Sequence, residues 1–199
     1  MSRRLRNLPY ISLGLVAINV IVYIVCIFTE RLYFYGGLSR VPIVQYGQYG
    51  RLFWSLFLHA DVSHLFNNMI ILFFLGSMLE KEVGHVAYGS IYFLSGLGGS
   101  LCSLYYKIVQ HSNTMSIGAS GAVFGLDGLL LAIVLLSPKS RGLIPPQRIA
   151  IVVILSLYDG FIRSNVDNAG HLGGFAVGFV AGLILCLIQI AKERKNSAR

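Results

Sequence analysis

Long apolar runs separated by basic segments constrain this chain more than anything else in it. The runs reach the length needed to cross the roughly 30 Å hydrocarbon core of a bilayer. With 55% of its 199 residues hydrophobic and only 12% charged, the chain cannot present an ordinary aqueous surface. Lipid offers no partner to an open backbone, so each crossing segment must satisfy its own N–H and C=O groups. The expected fold class is therefore an all-α membrane protein: one integral membrane domain over residues 1–199, folded as a six-transmembrane-helix bundle. The spans are read at roughly 9–28, 64–79, 86–106, 117–136, 149–162 and 169–190.

The second and fifth spans are short against the usual length of about 20 residues. Charge requires them. With both termini cytoplasmic, eleven of the sixteen basic residues fall on the inner side. These are Arg3, Arg4, Arg6, Lys81, Lys139, Arg141, Arg148, Lys192, Arg194, Lys195 and Arg199. The outer side holds Arg31, Arg40, Arg51, Lys107 and Arg163, a positive-inside asymmetry that losing either short span would abolish. This distribution also argues against nucleic acid as the partner of a net charge of +8, since the basic residues lie between and beyond the apolar runs instead of along one face. The partners expected are the bilayer and other membrane proteins, with no cofactor. Cys26, Cys102 and Cys186 lie within apolar runs without metal-ligand spacing and read as small buried hydrophobes. The first run is long enough to span and no small-residue cleavage site follows it, so it is expected to be a retained signal-anchor. The loop at about 29–63 carries Tyr33, Phe34, Tyr35, Tyr46, Tyr49, Phe53, Trp54 and Phe57 and suits an interfacial position. Pro138, Pro145 and Pro146 keep the inner loop from Lys139 to Gln147 from being helical throughout.

Spans 2, 4 and 6 all enter from the outer face, and each has polar residues in its first turns: His64 and Asn68, Ser120, and His171. Gly174, Gly178 and Gly182 follow His171 at i+3, i+7 and i+11, a face of minimal side chains. Span 4 offers Gly118, Gly121, Gly125 and Gly128. Two glycine-faced helices can approach until Ser120 and His171 reach hydrogen-bonding distance, making a nucleophile and its general base. The alternative is that both clusters are helix contacts, with Ser120 and His171 as polar glue. His64 and Asn68, four apart on one face, could aim donors at the oxyanion of an acyl transfer, together with the Ser120 backbone N–H. Otherwise His64 caps its helix and Asn68 bonds a neighbouring backbone.

These pieces resemble the rhomboid intramembrane serine proteases in their six-span minimal form. The matching residues are Gly-Ala-Ser120-Gly, the Ala-Gly-His171-xx-Gly-xxx-Gly run, His64-xxx-Asn68, His59, Arg51 and Glu80, covering residues 51–178 in order. The resemblance implies a Ser/His dyad without a third acid, Ser120 as nucleophile and His171 as base. It also implies an oxyanion site near His64 and Asn68, an aromatic residue at Phe124 packed on the base, and transmembrane substrates of one or several spans. The small six-span form without a transit peptide leads to the expectation of a bacterial cell membrane. Gly50 departs from the pattern, standing where an aromatic usually precedes Arg51, so the first loop is expected to be held differently. Asp127 is an unusual acid in mid-span 4. It lies roughly 10 Å along the helix from Ser120, too far to orient His171, and a structural role is expected. Asp167 could be a third triad member, though an N-cap of span 6 is favoured. Tyr158-Asp159 with Gly125-Leu126-Asp127 only faintly suggests paired-aspartate proteases, and no His-Glu-x-x-His supports zinc. The competing functions are a catalytically silent rhomboid-like factor that binds membrane proteins, and a transporter. The first would typically lack the serine or the histidine; the second would need charges continuing to the inner leaflet.

Overall fold

The computed structural model describes residues 8–136 and 166–197, and among these the regular structure is helical, with one isolated antiparallel bridge between Leu38 and Ser116. The expected fifth span, the proline-containing inner loop and Tyr158-Asp159 lie outside the described residues. So do Arg3, Arg4, Arg6, Lys139, Arg141, Arg148, Arg163 and Arg199.

Helix α1 (Tyr10–Phe28) starts after Pro9, and its first-turn N–H groups have no partner within the helix. Glu80 supplies one. Its fully buried carboxylate accepts hydrogen bonds from Ile11 N (2.9 Å), Ser12 N (2.8 Å) and Ser12 Oγ (2.7 Å), with His85 Nδ1 at 2.6 Å. The negative charge also complements the positive end of the helix dipole. Glu80 therefore joins the start of α1 to the end of the second span.

The long first loop is a series of short helices: α2 (Arg31–Gly36), α3 (Arg40–Tyr46), α4 (Arg51–Trp54) and a 3₁₀ turn, Ser55–Phe57. Buried Arg51 holds it together, donating from Nη1 to Gly37 O (2.7 Å) and from Nε to Gln48 Oε1 (2.8 Å). Trp54 lies against Gly50, so an aromatic four residues on covers the position that lacks one. Phe34, Tyr35, Tyr46, Tyr49 and Trp54 are exposed.

The second span is longer than its sequence suggests. Helices α5 (Val62–Ile71) and α6 (Ser77–Val83) join through a π-helical turn, Leu72–Gly76, into one 22-residue element. The wider turn buries Leu72 and Leu75 while Phe73 and Phe74 stay exposed. Helix α7 (His85–Val109) follows, then α8 (Ser120–Leu136) and α9 (Asn168–Ser197). Among the described residues, Tyr10–Phe28, Val62–Val83 and Asn168–Asn196 are long and apolar enough to cross a membrane. The described part of α8 is apolar but shorter, and residues 117–119 stay outside the helix.

Helices α8 and α9 meet backbone to backbone. A methyl group at Gly174 would strike the Gly121 carbonyl, one at Gly178 the Gly125 carbonyl, and one at Gly128 the Phe175 carbonyl. Gly99 brings α7 against the same crossing, next to Gly170 O and Gly121 Cα. Without a hydrophobic drive between helices in lipid, such close approach is what holds them together.

Candidate active site

Ser120 is the first helical residue of α8. The chain reaches it through Gly118, whose φ of 129° is one that side-chain-bearing residues rarely adopt. Space there is also restricted, since a Cβ at 118 would stand 2.7 Å from His64 Cε1. Gly118 N donates to Ser55 O (2.9 Å), fixing the turn to the loop beneath it. His171 sits in the first turn of α9 and is buried. The glycine crossing sets the separation: His171 Nε2 lies 2.8 Å from Ser120 Oγ. In the tautomer protonated on Nδ1, the serine hydroxyl donates to Nε2. Phe124, one turn into α8, stacks on the imidazole with centroids 4.1 Å apart and planes inclined by 12°. This contact fixes the ring plane.

His64 and Asn68 approach from the α5 side. Asp61 is the N-cap of α5, its Oδ1 accepting from His64 N at 2.7 Å, so the capping role belongs to Asp61 and not to His64. Buried Asn68 donates one N–H of its amide to His64 O (3.0 Å); the amide has two. The His64 ring lies over Gly118, two residues before the serine.

Two neighbours named in the sequence gain their contacts only in three dimensions. His59 is fully buried, its ring 5.1 Å from that of His64, and its Nε2 accepts from Ala119 N at 3.5 Å. Burial first, and then the neighbouring His64, pull its pKa down to about 3. It is thus a neutral acceptor under the residue before Ser120. Its spacing five residues ahead of His64 was the only signal in the sequence.

Asp167 is the N-cap of α9: Oδ1 accepts from Gly170 N at 2.9 Å, and its carbonyl from His171 N at 3.0 Å. Oδ2 accepts from Ser103 Oγ on α7, a tie that no sequence pattern announces. Burial alone would raise this carboxyl, but the Ser103 and Ser116 hydroxyls, the Gly170 N–H and Lys107 hold it below the usual range. A cavity of about 40 Å³ beside the dyad is lined by Ser55, Ser103, Ser116, Ser120, Asp167 and His171, among others. That is room for water in a polar setting. Asp127 does not line it. No cluster of His, Cys, Asp and Glu suited to a metal occurs among the described residues.

Residues 46–188 match the family model described as a Rhomboid domain. The chain belongs to the rhomboid family. It is 35% identical over 159 residues to Rhomboid protease GluP of Bacillus subtilis, covering 80% of this chain and 30% of that protein. It is 38% identical over 157 residues to RHOMBOID-like protein 5 of Arabidopsis thaliana, covering 76% and 48% respectively. Rhomboid-like protease 1 of Toxoplasma gondii is 28% identical over 191 residues, covering 89% of this chain and 64% of that protein. The chain spans less than half the length of the Bacillus protein and of RHOMBOID-like protein 5.

Proposed function

We propose that this chain is an intramembrane serine endopeptidase that cleaves transmembrane segments of other membrane proteins near the outer leaflet. The observation that carries the reading is the 2.8 Å contact between Ser120 Oγ and His171 Nε2 at the N-terminus of an apolar helix. In the mechanism, Ser120 Oγ attacks the scissile carbonyl carbon while His171 Nε2 takes its proton. The tetrahedral oxyanion develops beside the Ser120 N–H, which has no intrahelical partner at the first position of α8. In this reading His64, whose ring lies over Gly118, and Asn68 supply further donors. The imidazolium then protonates the leaving amine, and water hydrolyses the acyl-enzyme through the same base.

The same reading gives six spans with both termini cytoplasmic, in a bacterial cell membrane as the proposed location. The Rhomboid domain supports the membrane setting, and the basic-residue asymmetry supports the orientation. Water is needed for deacylation and the reactive groups lie toward the outer end, so the cut falls near the outer end of the substrate helix. A helical bond is shielded, and unwinding it in lipid exposes polar groups at several kcal/mol each. Favoured substrates therefore have helices weakened by Gly, Pro, Ser or Asn near the site. The test is cleavage in proteoliposomes of a model transmembrane segment and of a copy whose Gly and Pro are replaced by Leu. Cleavage of the first near its outer end, slower cleavage of the second, and none by folded Ser120→Ala are expected. Full activity in Ser120→Ala overturns the reading; equal cleavage of both segments overturns the recognition account.

A further inference from the structure

Asp167, Ser103, Ser116 and Lys107 form a polar cluster beside the dyad that the mechanism does not use. Three elements converge there, and between them they carry both reacting side chains. Ser103 and Lys107 lie one turn apart on α7, Ser116 lies four residues before Ser120, and Asp167 lies four before His171. A carboxylate only accepts hydrogen bonds, and donors surround this one. Gly170 N binds Oδ1 (2.9 Å) and Ser103 Oγ binds Oδ2, while the Ser116 hydroxyl, beside that of Ser103, helps hold the carboxyl below its usual range. The two hydroxyl oxygens are 3.4 Å apart. Lys107 is 6% exposed, donates to Thr114 Oγ1 (3.0 Å), and acts on Asp167 by its charge. A buried ammonium is costly unless a counter-charge stands near it.

Capping alone does not account for this arrangement. An N-cap uses one oxygen, and Asn caps a helix about as well as Asp. Here the second oxygen accepts from Ser103 on α7, whose hydroxyl oxygen lies 3.4 Å from that of Ser116 in the segment leading into Ser120, and the charge of Lys107 favours the ionised carboxylate. We infer that Asp167 is a positioning residue for the general base: its ionised carboxylate locks the first turn of α9 to α7 and to the Ser116 segment, and so sets the distance from His171 to Ser120. The inference rests on the Ser/His reading of the site and adds to it a residue acting through His171.

The test compares the full chain, purified in detergent, with Asp167→Asn, Lys107→Met and the double variant. The readouts are the rate at which a fluorophosphonate labels Ser120, kcat and KM on a transmembrane substrate, and the melting temperature. Asn preserves the cap but leaves Lys107 without its counter-charge, so Asp167→Asn should fold with a lowered melting temperature, part of which the double variant recovers. Its labelling rate and kcat should fall about ten- to hundred-fold with KM unchanged, as expected when reacting groups are misplaced by a fraction of an ångström to an ångström. Lys107→Met should fall likewise, and the double variant no further, because both changes break one tie. Wild-type labelling of Asp167→Asn would reduce Asp167 to a cap and overturn the inference. Should Asp167→Asn not fold, Ser103→Ala decides: slower labelling in a folded protein upholds the tie, and an unchanged rate overturns it. A wild-type chain that is folded but never labelled at Ser120 would instead overturn the Ser/His reading itself.

Discussion

Ser120 serves twice in the proposed mechanism, offering its hydroxyl to the substrate and its backbone N–H to the oxyanion. Both need the turn at Gly118, where a φ of 129° and the ring of His64 leave room for no side chain. In the proposed mechanism Asn68 is one donor among several, so its loss should be graded: Asn68→Ala is expected to lower kcat about 10²–10³-fold with near-normal KM. Weakened binding at an intact turnover rate would contradict that role. His59 makes a prediction about pH. Its folded pKa of about 3 lies below the unfolded value of about 6.5. The unfolded chain therefore binds the extra proton, and the stability contributed by neutral His59 is present above pH 6.5 and lost as pH falls toward 3. Between pH 7 and pH 5 the loss is about 2 kcal/mol, which equilibrium unfolding in detergent can measure. A His59→Gln variant should show a shallower slope over that interval, and an unchanged slope would mean that His59 is not the titrating group.

At the scale of helices, the glycine faces decide how close α8 and α9 come, and that closeness sets the 2.8 Å contact. Gly178→Ala places a methyl group against the Gly125 backbone, and backbone cannot move aside as a side chain can. The expected cost is about 1–3 kcal/mol, accompanied by loss of activity as the helices separate. Gly14→Ala in α1 is the control: no atom lies within 4 Å of the added carbon, so about 0.5–1 kcal/mol of stabilisation is expected from helix propensity. Equal stability of the two variants, measured by unfolding, would contradict the packing account. The glycine faces were legible in the sequence because helical periodicity alone puts Gly174, Gly178 and Gly182 in line. The 22-residue second span was not. Lys81 and Glu82 cut short the apolar run that defined it, and the π turn at Leu72–Gly76 depends on packing that no local pattern records. Nor could spacing reveal His59 beneath Ala119 or Asp167 on Ser103. Those contacts join residues 60 and 64 positions apart, and only the folded backbone brings them together.

For the molecule as a whole, the polar groups gather at one end of an apolar bundle, while Glu80 at the other end locks α1 to the second span. This separation would let the proposed hydrolytic site exist within a protein that exposes many large apolar side chains. Water has room beside the dyad, in the cavity of about 40 Å³. The central claim is that Ser120, activated by His171, is the nucleophile. The most direct measurement is to incubate the purified chain with a fluorophosphonate and map the modified residue by mass spectrometry, alongside His171→Ala. The account predicts modification at Ser120 in the wild-type chain and almost none in the folded His171 variant. Modification at another serine, or undiminished labelling of Ser120 without His171, would contradict it.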